Sequence, residues 1–303
     1  MIRSVTVKNH FGESLKLELT RPEQSGFLIK GIDGLGPGKA TVNTTKVATC
    51  DGARFNSAFS DQRSIVMSLL FIQTDTEDIE DLRHKTYKYF PKTYEVELIV
   101  ETDKRTGKIK GIVEANEPEI FSNAEGCSIT IVCPDPFFYS VNKKEVVFYG
   151  VEPAFEFPLE NESLTDPLLE LGLIKIKTQE VVYYDGDGST GIDITIHAVG
   201  EASNITIYNI KTRETMNINT DKIASITGGT LKSGDVITIK TNVGDKSITL
   251  LREGKRYNIL NCLGRNPNWF TIAKGDNLFA YTADTGSNNL QFRVAHNVAY
   301  DGV

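Results

Sequence analysis

Residues 128–139 read SITIVCPDPFFY, and the first six alternate with the two-residue period of a β-strand. Two prolines then flank Asp135, and because proline cannot donate to a strand ladder, the strand must end there. The same alternation recurs in Tyr94–Glu101, Ile192–His197 and Val236–Leu250, and turns rich in Gly, Asp and Asn separate these runs. Short alternating runs joined by such turns are typical of β-sandwiches and barrels.

One segment has helical spacing instead. Thr74 and Glu77 have the spacing of a capping box, and Ile79 and Leu82 continue the pattern three residues apart. Pro91 follows and would end the helix. The sequence therefore predicts a mainly β chain with one clear helix at about residues 75–89.

The length of the chain, 303 residues, favours two domains. Four of the ten prolines lie in a seam near residues 134–160, namely Pro134, Pro136, Pro153 and Pro158. We expect an N-terminal domain at residues 1–145 and a C-terminal β-sandwich at residues 146–303.

Composition excludes several classes of protein. The net charge of −7 disfavours binding to nucleic acid, which requires a basic surface. No apolar run approaches the length of a membrane span, so membrane insertion is not expected. Four scattered cysteines and an N-terminus without a long apolar core predict synthesis in a cytoplasm.

Motifs for catalysis and ligand binding are incomplete. The glycine run Gly34–Gly38 lacks the third glycine of a dinucleotide loop, and there is no P-loop or nucleophile elbow. Asp185–Ser189 resembles the first half of a calcium loop, but an Asp-Gly turn explains it better, with weak calcium binding as the alternative. The four histidines lack metal spacing. We expect no cofactor, no metal and no enzymatic activity.

Trp269 is the single tryptophan of the chain and a candidate glycan contact, because an exposed indole can stack on a sugar. Alternation places Trp269 on one row with Thr271, and Phe270 with Ile272 on the opposite row. Packing in the core or at a sheet edge is the competing interpretation.

A strand at Arg63–Ile72, the helix, a hairpin at Tyr94–Glu114 and the ending Cys133–Tyr139 occur in an order that resembles the N-terminal domain of siphophage distal tail proteins. The glycine-rich loop at Gly31–Gly38 is also similar to that family. In the second half, Leu231–Ile239 and Phe270–Asn277 resemble its C-terminal sandwich.

This resemblance implies a structural protein of the tail tip of a phage or prophage, assembled in the bacterial host. The N-terminal domain would be a β-barrel or sandwich-like unit that forms a homo-hexameric ring. Its partners would be the tail tube protein and the tail-associated hub or fibre protein. The C-terminal domain would be galectin-like, and in some phages it holds receptor-binding proteins.

The candidate boundary or interface motif is the segment Cys133, Pro134, Asp135, Pro136, Phe137, Phe138 and Tyr139. Its aromatic side chains would pack either against a neighbouring subunit or within their own domain. Two other functions stay open for the chain. One is a carbohydrate-binding module or adhesin for host cell-wall glycans, and the other is a polysaccharide-degrading enzyme with two facing carboxylates.

Overall fold

A computed structural model describes residues 1–46, 48, 51–122, 124–153, 172–227 and 229–303 of the chain. The described residues are mostly β-strands, which confirms the predicted fold class, and they include two α-helices. They form two compact units, Met1–Asn142 together with Ala299–Val303, and Lys143–Val298. Residues 299–303 thus belong to the first unit. Pro158 of the expected seam lies outside the described residues.

The first unit is built on one large antiparallel sheet with the strand order β2-β1-β7-β8-β9-β6-β3. A short strand, β10, pairs with both β8 and β25, and β4 and β5 form a separate hairpin. The strands are β1 (Ile2–Lys8), β2 (Ser14–Glu18), β3 (Phe27–Asp33), β4 (Ala40–Lys46), β5 (Ala53–Ser60), β6 (Arg63–Phe71), β7 (Glu95–Thr102), β8 (Thr106–Pro118), β9 (Gly126–Cys133), β10 (Phe138–Ser140) and β25 (Ala299–Tyr300). Because the described pairings do not join β2 to β3, the sheet is open rather than a barrel.

Alternation along the strands decides which face of this sheet is buried. In β6, Ile65, Met67 and Leu69 are buried, and the side chains between them are more exposed. Their neighbours Ile129 and Ile131 on β9 are buried on the same side. Full burial of such a side chain contributes about 1.5–3 kcal/mol.

Helix α1 (Ile79–Tyr89) covers this buried face, and it begins four residues later than predicted. The Thr74 hydroxyl does accept a hydrogen bond from the Glu77 amide, at 3.0 Å, but that turn does not continue into the helix. The capping box is made by Asp78 and Asp81 instead, each carboxylate accepting from the other residue's backbone amide. The helix ends before Pro91, as predicted.

The second unit is a sandwich of two antiparallel sheets. One has the strand order β11-β24-β16-β19-β20-β21 and the other β14-β23-β17-β18, and two smaller pairs are β12-β13 and β15-β22. The strands are β11 (Lys144–Val147), β12 (Tyr149–Pro153), β13 (Gly172–Ile176), β14 (Gln179–Tyr184), β15 (Thr190–Gly191), β16 (Asp193–Ala198), β17 (Ser203–Asn209), β18 (Glu214–Ile218), β19 (Val236–Lys240), β20 (Ser247–Arg252), β21 (Lys255–Asn258), β22 (Thr271–Ile272), β23 (Gly275–Thr285) and β24 (Leu290–His296).

Aromatic side chains join the two sheets of this sandwich. Tyr281 on β23 and Phe292 on β24 are stacked with ring centroids 4.9 Å apart, and both are fully buried. Tyr281 also donates from its hydroxyl to the Leu290 carbonyl, at 2.9 Å, so its polar atom is satisfied in the core.

A short helix, α2 (Asp221–Thr227), was missed by the sequence analysis. Its signal is Asn219, whose side-chain oxygen accepts from the amides of Asp221 and Lys222. Only Ile223 of this helix is buried, and two turns offer too little periodicity to detect. Neither described helix has the length and apolarity needed to cross a lipid bilayer.

Candidate interaction surfaces

The predicted motif at residues 133–139 forms a compact turn that leaves the sheet of the first unit. Cys133 is buried at the end of β9, and Pro134 and Asp135 are exposed. The Asp135 carboxylate accepts hydrogen bonds from the Phe137 amide, at 3.1 Å, and from the Tyr139 hydroxyl, at 2.7 Å. The acidic residue therefore shapes the turn that the two prolines begin.

The aromatic residues of the motif lie in different surroundings. Phe138 is fully buried and pairs with Tyr300, and Tyr139 pairs with Ala299. Phe137 and Tyr139 are half-buried. Phe138 thus packs inside the first unit, which is the intradomain alternative, and a subunit contact through Phe137 or Tyr139 stays a prediction.

Arg63 connects this turn to two distant parts of the first unit. Its buried guanidinium donates to the carbonyls of Pro136, Gly34 and Asp301, each at 2.7 Å, and to that of Gly36. It also lies over the ring of Phe138, 5.0 Å from the ring centroid. Burial lowers the pKa of Arg63, but an arginine stays protonated in proteins. The bonds to the Gly34 and Gly36 carbonyls hold the glycine-rich loop against Arg63.

Gly34 itself is required by the close approach of that loop to β6. It has φ of +86°, and a Cβ added there would lie 2.2 Å from the Ser64 carbonyl oxygen. Packing therefore requires a glycine at position 34, whereas a Cβ at Gly36 would meet nothing within 4 Å.

Trp269 lies just before β22 in the second unit and is half-buried. Phe270 and Ile272 are fully buried and Thr271 is exposed, so the predicted division into two rows is correct. The Lys246 ammonium lies 5.5 Å from the centroid of the indole ring, a cation–π contact. The indole ring thus has a partner within the chain, Lys246, and the glycan contact stays a prediction.

Residues that could act as ligands or acids do not converge. Within the described ranges, no group of three His, Cys, Asp or Glu side chains could hold a metal ion. Asp185, from the calcium-like segment, pairs with Lys144 at 2.8 Å, and this contact lowers the pKa of its carboxyl.

His296 is buried beside that ion pair. It is 2% exposed, and neither ring nitrogen has a hydrogen-bond partner. Burial, and then the nearby Lys144, lower the pKa of the imidazole, whereas Asp185 acts in the opposite direction. Its ring meets Tyr184 edge to face at 5.5 Å. A neutral histidine packed in this way acts as a core side chain.

The three cysteines in the described residues are free and buried: Cys127, Cys133 and Cys262. Burial raises the pKa of Cys127 to about 12 and that of Cys133 to about 11. Since the thiolate is the reactive form, these side chains are unsuited to nucleophilic chemistry at neutral pH.

The surface that sequence analysis missed is the hairpin of β4 and β5, here called the arm. Every residue of its two strands is exposed. Three large apolar side chains on it are more than half exposed, namely Val42 (57%), Phe55 (61%) and Phe59 (56%). The arm is a sheet of its own, because its described strands pair only with each other.

Comparison with known proteins gives one family match, which lies in the first unit. Residues 13–138 match the family model described as a phage tail protein RIFT-related domain. No curated protein matches the chain.

Solved structures share the fold along nearly the whole chain. SPP1 Dit (gp 19.1), described as a paradigm of the hub adsorption apparatus in Gram-positive infecting phages, matches with a TM-score of 0.65 and 11% identity, over 97% of this chain and 98% of that one. A chain of the phage P2 baseplate in its activated conformation matches with a TM-score of 0.54 and 12% identity, over 100% of both chains. Residues 13–138 therefore match a phage tail protein RIFT-related domain, and the predicted resemblance of the chain to the distal tail proteins of siphophages is confirmed.

Proposed function

We propose that this protein is a non-enzymatic structural component of a phage tail tip, and that six copies form a ring that joins the tail tube to the hub or fibre proteins. The family domain in the first unit and the fold of the whole chain support a role in the tail. In this proposal the region predicted as residues 1–145 forms the ring. The second unit, from the region predicted as residues 146–303, anchors receptor-binding proteins.

The arm is the observation that carries self-assembly. A two-stranded hairpin is at best marginally stable alone in water. Every residue of this one is exposed in the isolated chain. A projecting segment that contacts a different surface of an identical subunit makes a heterologous contact, and such contacts generate rings when the rotation closes. The arm therefore supports assembly from identical copies.

The ring is tested by light scattering on the purified protein over a concentration series, with negative-stain imaging of the largest species. The expected result is a particle of six times 33.5 kDa with a central hole. A strict monomer at every concentration would contradict self-assembly and would favour assembly on a partner protein.

The enzymatic alternative is tested separately by incubating the protein with bacterial cell walls. A polysaccharide-degrading enzyme would use two carboxylates that face the scissile bond and would release new reducing ends. Such release would contradict the proposal that the protein is non-enzymatic. We expect no release.

A further inference from the structure

The arm has two chemically different faces, and an irregularity in strand pairing produces them. Thr41 is opposite Phe59 and Asn43 is opposite Ser57, but the register then shifts, so that Thr44 is opposite Phe55. Without the shift, Phe55 and Phe59 would lie on the same face, since alternate residues of a strand do so. With it, Phe55 lies beside Val42 and away from Phe59.

The first face is mainly apolar. Val42, Phe55 and Ala58 lie at its centre, Ala40 and Ala53 lie towards its two ends, and Thr44 and Ser60 are its uncharged polar residues. Lys46, opposite Ala53, is the charged residue of this face and lies at the tip. We call the side chains Ala40, Val42, Phe55 and Ala58 the apolar face of the arm.

The second face carries one large apolar side chain, Phe59, and the charged Arg54, among polar residues that pair with one another. The Asn43 amide donates to the Ser57 hydroxyl at 3.1 Å, and the Asn56 amide donates to the Thr45 hydroxyl at 2.6 Å. An exposed apolar face favours contact with another protein surface. Val42, Phe55 and three alanines lie on the first face, whereas Phe59 lies on the second among polar residues, so the first face is the side of the arm that a partner would cover.

The first unit carries a second surface of matching chemistry. On the outer side of the large sheet, β7 and β8 present charged residues, including Glu95, Glu97, Lys108 and Lys110. The adjacent strands β6 and β9 present none. Their outward side chains are Ser64, Val66, Ser68, Leu70, Ser128, Thr130 and Val132, here called the uncharged strip.

The strip is long enough to receive the apolar face. From Ser64 to Leu70 the strip spans six residue steps, about 20 Å, and from Ala40 to Thr44, which is opposite Phe55, the apolar face spans four, about 13 Å. Because both faces of the arm are exposed in the single chain, the arm does not cover its own strip. A neighbouring copy can supply it.

We infer that the apolar face of the arm of one copy lies across the uncharged strip of the next copy. This inference rests on the proposed ring, and it names the two surfaces that form the repeated contact. Each copy gives one arm and receives one, so the contact is heterologous and can close. The register shift in the arm is needed for the contact, because it brings Phe55 to the face that carries Val42.

The test is cross-linking between two differently tagged copies in a Cys50→Ser background. One copy carries Phe55→Cys and the other carries Val66→Cys, and the mixture is treated with a short bismaleimide. The matched control replaces Phe55→Cys by Phe59→Cys, which alters an equally exposed phenylalanine on the opposite face. We expect a linked heterodimer with Phe55→Cys and its loss with Phe59→Cys.

Light scattering on the same mixtures separates the two proposals. If rings form and the two pairs cross-link equally, or if only the control pair does, the assignment of the contact is wrong and the ring stands. If rings form without either cross-link, the assignment is also overturned. If no oligomer forms with the unmodified chain, both the ring and the contact are overturned.

Discussion

Replacing Arg63 by methionine should destabilise the first unit strongly. The guanidinium is buried and donates to carbonyls of three segments that are far apart in the chain, at Gly34 and Gly36, at Pro136 and at Asp301. Methionine fills a similar volume but has no donor, so all four carbonyls lose their hydrogen bond. The Gly34 loop, the turn at Pro136 and residues 299–303 would then be held by packing and by backbone pairs alone.

The magnitude follows from the number and kind of these bonds. A hydrogen bond from a charged donor contributes about 1.5–3 kcal/mol, and a neutral one contributes about 1 kcal/mol. Gly34 and Gly36 are exposed and Pro136 and Asp301 are half-buried, so water can replace part of each lost bond. We expect a loss of about 4 kcal/mol in the free energy of unfolding, comparable to the removal of one partner from a buried charge pair. For a unit of this size the loss corresponds to a fall of roughly 12 °C in Tm.

The assay can separate the two units, because the single tryptophan, Trp269, lies in the second unit. Thermal unfolding would be followed by far-ultraviolet circular dichroism for the whole chain and by Trp269 fluorescence for the second unit. Arg63→Lys keeps the positive charge but loses the planar guanidinium group and its several N–H donors. The Tm of this variant should therefore lie between those of wild type and Arg63→Met. Arg3→Met is the matched control, because Arg3 is an exposed arginine of the same unit.

Three results would refute the reasoning. One is a change below about 1 kcal/mol for Arg63→Met, since four lost bonds cannot cost so little. Another is a change for Arg3→Met as large as that for Arg63→Met. The third is an equal shift of the Trp269 transition, which would show that the effect is not local to the first unit.

Two further predictions concern the second unit, both measured by urea unfolding followed through Trp269. Arg252→Met should destabilise it by about 3–5 kcal/mol, because the Asp235 carboxylate, 2.5 Å from Arg252, is left buried without its cation. Adding Asp235→Leu to that variant should recover part of the lost free energy of unfolding. A purely additive loss in the double variant would contradict this explanation. Because the pKa of His296 is lowered in the folded chain, the unfolded chain binds more protons below about pH 6.5. The contribution of His296 to the free energy of unfolding is therefore fully present above that pH and is lost as the pH falls towards 5. His296→Phe should abolish that loss, and an unchanged pH dependence would contradict the assignment.

Local pattern was sufficient for most of the secondary structure. Alternation in Val236–Leu250 and Tyr94–Glu114 predicted two hairpins that the structure contains as β19-β20 and β7-β8. The predicted last residue of the helix is correct, but its predicted first residue is not. Thr74 and Asp78 are both possible N-cap residues, because each is followed three residues later by an acidic residue. In the structure Asp78 is the N-cap residue of α1.

The candidate sites were less predictable, because their partners are distant in sequence. The ending Cys133–Tyr139 was recognised, but its connection through Arg63 to Asp301 joins residues 238 positions apart. The arm gave no usable signal, since strict alternation in Ala53–Ser60 places Phe55 and Phe59 on one face. The structure separates them by a register shift that depends on the opposite strand.

The sequence by itself determined the β-rich class, the strand ends at proline and the absence of recognisable catalytic motifs, because these depend on neighbouring residues along the chain. Tertiary structure alone decided where residues 299–303 pack, which carbonyls Arg63 serves and which phenylalanine shares a face with Val42. The physical reason is that strand pairing and buried hydrogen bonds are selected by the packing of the whole unit, and each can join residues at any separation in the sequence.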